Sequence, residues 1–309
     1  MNTGMLVAAL VTATTTATPL LLAATGETVA ERAGVLNLGV EGMMLMGAVG
    51  AFVTTATTGS DVLGIAAGAL AGAALAGGFA VLTLTLMANQ VASGLAVTIF
   101  GTGLSSLLGA HFVGRSVTPL PHLHLPGLSD IPVLGPLLLR QDGLVYVSVG
   151  LTALVAWGLA RTRAGMVLRA VGESDSSAHA LGHPVIRIRY LAVLFGGAMS
   201  GLAGAYLSLA STPMWIEGLT AGRGWIALAL VVFGSWRPWR VLAGAYLFGG
   251  ISVLQLYLQG SGFVAVPTQV LAMIPYVATI VVLTAISASG ARRRLQAPAC
   301  LGKSFRPAN

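Results

Sequence analysis

RTRAGMVLRAVGESDSSAHALGHPVIRIR, residues 161–189, is the one long polar stretch set between hydrophobic spans, and it carries five of the chain's sixteen Lys and Arg residues. Charged residues make up only 8% of this sequence, so that concentration has a cause. A short basic loop between apolar spans lies on the cytoplasmic side by the positive-inside rule. Its middle, SDSSAHALG, reads as a short helix. Ser174 or Asp175 can cap the N-terminus, Ala178 and Leu181 offer a small apolar face, Gly182 suits the position after the last turn, and Pro184 forbids continuation. A capped helix held outside the lipid core is a shape expected of a docking element for a soluble cytoplasmic partner. An ordinary connecting loop on the headgroups is the alternative.

Outward from this loop, composition sets the class. Hydrophobic residues make up 56% of 309, and mean hydropathy is +0.87. The apolar runs reach the length of about 20 residues that a bilayer-crossing helix needs, and no soluble core is so continuously apolar. A net charge of +7 and a pI near 10.3 would suggest a nucleic-acid partner in a soluble protein. Here the basic residues sit at span edges, so topology explains them and no nucleic-acid partner is expected. The single cysteine, Cys300, excludes a disulfide framework or a Cys-rich metal site. MNTGMLVAALVTATTTATPLLLAA lacks a basic n-region and a clear cleavage site, and reads as a span rather than a signal peptide.

The expectation is an all-α polytopic membrane protein with about nine spans, within a range of eight to ten. The segments are roughly 5–25, 35–57, 62–86, 91–113, 142–160, 190–211, 224–235, 241–259 and 266–288, with 224–235 short enough to be tilted or partly re-entrant. A transmembrane domain over 1–290 would be followed by a basic cytoplasmic tail, 291–309. Threading with 161–189 inside places the N-terminus outside and the C-terminus in the cytoplasm. Thirteen basic residues then fall inside (Arg32, Arg161, Arg163, Arg169, Arg187, Arg189, Arg237, Arg240, Arg292, Arg293, Arg294, Lys303 and Arg306) against three outside, Arg115, Arg140 and Arg223.

Small residues recur at helical spacing, Gly68 with Gly72 and Gly197 with Gly201, a pattern that lets helix backbones approach closely in lipid. Intramolecular packing is expected ahead of oligomerisation. The Pro-rich outer loop, 114–141, should form a compact cover. It holds His122 and His124, but too few ligands for a metal site, and none is expected.

ERAGVLNLGVEGMMLMG (31–47) resembles the signature of inner-membrane permease subunits of ABC importers in the branched-chain amino acid and ribose type family. Its nearest likeness is the branch of simple-sugar or nucleoside permeases. NQVASGLAVTIF (89–100), RTRAGMVLRAVGESDSSAHALG (161–182) with RIRYLAVLFGGAMSGLAGAYLSL (187–209), GRGWIALALVVFGSWRPW (222–239) and the PGLSDIPVLGP loop agree, in order and over most of the chain. The chain departs from the ten-helix pattern of ribose-type members in lacking a first helix, which would account for an outside N-terminus. The resemblance implies a multi-pass protein of the bacterial cytoplasmic (inner) membrane, in contact with lipid. It implies three partners: a separate ABC ATPase subunit that binds the ATP, a second and different permease, and an extracytoplasmic solute-binding protein. It also implies that Gly172, Glu173, Asp175, Ala178, Leu181 and Gly182 form the ATPase-coupling element, and that no cofactor is held by this chain.

Polar residues in or beside the spans carry the remaining expectations. Asn37 and Glu41 are four apart and would share a helix face. A carboxylate there is costly unless it faces a cavity or a partner, and Gly34, Gly39 and Gly42 permit a helix break. The pair either borders the substrate pathway and bonds a hydroxyl-rich solute, or Glu41 ties down the break through backbone N–H groups and Arg32. Asn89 and Gln90 read as a turn and helix cap or as further pathway residues. Glu217 and Arg223 could pair with each other or dock the binding protein at an outer rim. Trp215, Trp225, Trp236 and Trp239 read as interface belts. No catalytic set is visible, and without GxxxxGK[ST] the chain cannot itself cradle ATP. The alternative function is an ion-coupled secondary transporter of small polar solutes, for which Glu41 would be nearly the only coupling group.

Overall fold

The computed structural model describes residues 3–123, 135–261 and 297–306, with isolated positions between 262 and 296. The described residues are all helical apart from loops and two isolated bridges, Ser116 with Met214 and His122 with Asp142. Seven helical segments are long and apolar enough to cross a membrane: Val7–Arg32, Val40–Thr58, Asp61–Thr85, Gln90–Phe112, Gly143–Arg161, Val185–Ser211 and Pro238–Gln259. They correspond to seven of the nine expected spans. The expected span at 266–288 and His124 lie outside the described residues, apart from isolated positions in the former.

The helices are α1 (Thr3–Arg32), α2 (Val40–Thr58), α3 (Asp61–Ala80), α4 (Gln90–Gly109), α5 (Gly143–Arg161), α6 (Arg163–Glu173), α7 (Asp175–Ala180), α8 (Val185–Tyr206), α9 (Arg223–Phe233) and α10 (Pro238–Ser261). Helix α1 packs against α8, α10, α9 and α5, while α2, α3 and α8 form a second closely packed group. The largest apolar cluster joins Leu20, Leu21 and Leu22 of α1 to Val40, Met44 and Phe52 of α2, Met199 of α8 and Val231 of α9.

Glycine sets the closest approach. A Cβ on Gly72 would lie 2.3 Å from the Gly197 carbonyl oxygen, and one on Gly201 would lie 2.2 Å from that of Gly68. The two small-residue motifs therefore pack on each other, α3 against α8, within one chain. That contact is van der Waals in origin, since lipid removes the hydrophobic drive between helices.

Three boundaries differ from the sequence reading, those of α1, α2 and α8, the last of which starts at Val185 rather than 190. Helix α1 runs to Arg32 rather than ending near residue 25, because Glu27, Thr28 and Glu31 all find partners inside the protein. Helix α2 starts at Val40, not 35, so Asn37 is not helical and shares no helix face with Glu41. Helix α9 has 11 residues, about 16 Å at 1.5 Å per residue, roughly half the hydrocarbon thickness.

Trp215 and Trp236 are buried rather than placed in an interface belt. Gly109 leaves the space the Trp215 indole fills, and the Trp236 Nε1–H donates to the Glu31 carboxylate. Trp225 and Trp239 are exposed.

Candidate functional site

The polar stretch at 161–189 folds as two helices and the first turn of a third. Thr162 ends α5 and caps α6, its hydroxyl accepting from the Gly165 N–H at 3.0 Å. Ser174, not Asp175, caps α7 by accepting from the Ser177 N–H, an interaction worth about 1 kcal/mol. Gly182 takes φ +84° just past α7, and its N–H and that of His183 bond back to the carbonyls of His179 and Ala178. This left-handed stop and the following Pro184 limit the helix to six residues, shorter than the SDSSAHALG stretch, 174–182, read as helix from the sequence.

The expected apolar face is split. Ala178 turns inward against Val171 and Val185, whereas Leu181 is 78% exposed. Leu181 is the C-cap of α7, its N–H still bonded to the Ser177 carbonyl at 3.1 Å, and its side chain faces outward. Glu173 and Gly182 are exposed and Gly172 is buried. A Cβ on Gly172 would meet the Arg32 carbonyl oxygen at 2.1 Å, so only glycine lets α6 reach the end of α1.

Asp175 makes an ion pair with Arg189 at 3.1 Å. The Arg189 side chain is fully buried, and it also donates to the carbonyls of Ala33 (3.0 Å) and Lys303 (3.3 Å). A buried cation persists where it is paired and fully hydrogen-bonded. The segment 298–306 completes this arrangement and is no loose tail. The Cys300 N–H donates to Gly172 O, Gly302 N–H to Gly34 O, and Phe305 meets the His179 ring edge-on at 5.5 Å. Arg189 thus joins the end of α1, the first turn of α7 and the C-terminal segment. Sequence reading counted Arg189 only as a loop charge.

The chain between α1 and α2 is the break that Gly34 and Gly39 were expected to permit. Buried side chains replace its missing helical partners. Glu27 Oε1 accepts from the Asn37 N–H, Asn37 Oδ1 from the Gly39 N–H, and Gln90 Oε1 from the Leu36 N–H. The Gln90 amide also donates to Lys303 O. Asn89 is exposed and caps α4 through the Ala92 N–H. The structure therefore brings Asn37 and Gln90 to one linker and leaves Asn89 at its edge.

Glu41 stands apart from them. Its carboxylate accepts from the Thr220 hydroxyl and from the N–H groups of Gly222 (2.8 Å) and Gly224 (2.6 Å). These N–H groups open α9, where the helix dipole favours an anion. A Cβ on Gly224 would sit 2.6 Å from Glu41 Cα, so glycine is required for the contact. Arg32 takes no part: its Nε–H donates to Trp236 O. Arg223 begins α9 beside this cap, its guanidinium donating to the carbonyls of Leu219 and Thr220, and Glu217 is exposed on the preceding turn.

Glu27 and Glu31 are buried carboxylates that sequence reading missed by ending the first span too early. The signal was slight: Glu27 and Glu31 are one helical step of four apart, but the apolar run before them has no amphipathic period to continue. Asp142, buried at the start of α5, accepts from the Val145 N–H and the Tyr206 hydroxyl. Among the described residues no group of three His, Cys, Asp or Glu could hold a metal ion.

A chain of one solved ABC transporter, inward-facing and provisionally assigned to the metal-chelate type, shares this fold at a TM-score of 0.50. It is 17% identical, with 90% of this chain and 85% of that one covered. TsgC13 of Haloferax volcanii, named as a candidate glucose ABC transporter permease protein, is 43% identical over 94% of both chains. The nucleoside ABC transporter permease protein NupC of Lactococcus lactis is 34% identical over 86% of this chain and 88% of its own. The guanosine ABC transporter permease protein NupQ of Bacillus subtilis is 31% identical over 87% and 88%. Residues 9–283 match the family described as the permease component of the branched-chain amino acid transport system, and with seven membrane-length helices the chain is a multi-pass membrane protein belonging to that family of ABC transporter permeases.

Proposed function

We propose that this chain is the translocation subunit of an ATP-driven importer for a simple sugar or a nucleoside. The observation that carries the reading is that relatives aligned over more than four-fifths of both chains are named for glucose, nucleosides and guanosine. In this reading a separate ATPase hydrolyses ATP and an extracytoplasmic binding protein delivers the solute. A second, different permease completes the pathway.

Nine spans, an outside N-terminus and a cytoplasmic C-terminus complete the proposal, supported by the thirteen-to-three distribution of basic residues. The α6–α7 segment then faces the ATPase, with Leu181 as its exposed apolar contact. Closure of the ATPases would push on α7. Through Arg189 that motion would reach the end of α1 and the linker held by Glu27, Asn37 and Gln90. The Glu41 contact with α9 is the next joint along α2, and rearrangement there would open or close the route. Glu217 is the exposed residue proposed to meet the binding protein, with Arg223 beside it shaping the turn.

The test is uptake of labelled glucose and labelled guanosine by vesicles containing the reconstituted complex. The expected result is accumulation of one of them that needs ATP and persists when the proton gradient is collapsed. Accumulation driven by an ion gradient without ATP would overturn the reading.

A further inference from the structure

A cavity of about 360 Å³ opens where α1, α5 and α6 end and α10 begins. Three guanidinium groups line it: Arg32 from the last turn of α1, Arg169 from α6, and Arg237 from the turn before α10. Each comes from a different element, so the cluster is made by the fold and not by a run of basic sequence. Arg32 spends its Nε–H on the Trp236 carbonyl and Arg169 its Nε–H on the Gly165 carbonyl. Among the described residues none of the three is in an ion pair; the ion pair at this end of the molecule, Asp175 with Arg189, lies elsewhere. Arg169 and Arg237 repel Arg32 while the Glu173 carboxylate attracts it, so three cations stand against one anion and the balance calls for a further anion.

The rest of the cavity restricts which anion. Ala160, exposed at the end of the membrane-spanning helix α5, lines it with the buried Ala156 and Leu159 behind, and Trp239, 58% exposed, lines it too. A soluble anion gains nothing from an apolar wall that continues along a span. An amphiphile does, because its phosphate meets the guanidinium groups while its glycerol and first methylenes lie on α5 and the indole. Arginine suits this role, since its planar fork bonds phosphate oxygens in pairs.

We propose that this cavity is a specific site for the headgroup of an anionic phospholipid in the leaflet at the α6–α7 end. Occupancy by one phosphodiester offsets part of the cluster's positive charge and links α1, α6 and the start of α10. The lipid therefore acts as a tie between the coupling helices and the spans, and its loss loosens the end of α1 that Arg189 also holds.

The experiment uses the intact complex, purified from vesicles of phosphatidylcholine with a minor fraction of phosphatidylglycerol, and counts co-purifying lipid by native mass spectrometry. The wild type should retain phosphatidylglycerol. Retention should fall at least about tenfold in the Arg169→Gln/Arg237→Gln double variant, which leaves Arg32 in place. Arg187→Gln removes an exposed arginine outside the cavity at the same end and should retain the lipid like the wild type. Equal loss in the Arg187 variant would mean diffuse attraction to the whole basic surface, and would overturn the site. Displacement of the lipid by millimolar inorganic phosphate would assign the cavity to a soluble phosphate and overturn the lipid assignment. Unchanged lipid in the double variant with loss of the ATPase subunit would make the arginines a subunit contact, with the same consequence. A thermal-melting check that the double variant remains folded keeps loss of lipid distinct from loss of fold.

Discussion

Glu41 shows what a single buried carboxylate does when both of its oxygens are engaged. Hydrogen bonds to a charged group contribute about 1.5–3 kcal/mol each, and Glu41 accepts three. Glu41→Gln keeps the shape but sets an amide NH2 against one of the α9 N–H groups. The expected cost is about 2 kcal/mol, read as a lower melting temperature of the purified complex. Uptake should fall modestly and stay insensitive to a protonophore, because ATP supplies the energy. Abolished accumulation in the variant, with a protonophore-sensitive wild type, would instead make Glu41 a proton-coupling group and sink the importer reading. The sequence made Glu41 visible because a carboxylate in an apolar run is costly. It did not show the partner, since Gly222 and Gly224 lie some 180 residues away and their N–H groups leave no mark in residue type. Arg189 was hidden for the opposite reason. A basic residue near a span end is expected at the surface, and only the approach of Ala33, Asp175 and Lys303 makes burial affordable.

Among the elements, α7 is the most informative. Its cap, its glycine stop and its proline were legible residue by residue, because capping is local chemistry. The orientation of its apolar residues was not, because which side of so short a helix turns inward is set by the packing of α6 and α8 against it. The two positions now make opposite predictions. Leu181→Asp changes an exposed side chain, so stability should stay within about 0.5 kcal/mol while ATPase co-purification and uptake are lost. Ala178→Asp would place a charge among Val171, Val185 and Ile188 and should prevent normal accumulation in the membrane. If Leu181→Asp leaves both co-purification and transport intact, α7 does not dock the ATPase. Spans were read within a few residues wherever they end in polar loops. The α1–α2 boundary was missed because its polar residues are buried, and hydropathy cannot distinguish an exposed glutamate from a satisfied one.

For the whole molecule, the charge distribution argues for one orientation, and thiol labelling can check it. Cys300 is a poor reporter, because it is buried with its N–H on Gly172. Its silence toward an impermeant reagent would describe packing and not sidedness. Exposed positions serve better. In a Cys300→Ala background, Leu123→Cys should react from outside intact cells and Ser176→Cys only after permeabilisation. The reverse pattern would invert the threading. Cys300 also sits in a segment that reaches back to the end of α1, and that has a bearing on how the protein is made. About 270 residues separate Gly34 from Gly302, which it meets, so the loop between them must be closed before either is held. A ribosome delivers the end of α1 early and residues 300–305 only after every described span. Until then Arg189 lacks one of its three acceptors and the Gly172 carbonyl lacks its donor. The surface proposed to meet the ATPase is thus finished last, and on that proposal a nascent chain still short of these residues presents an incomplete one to its motor.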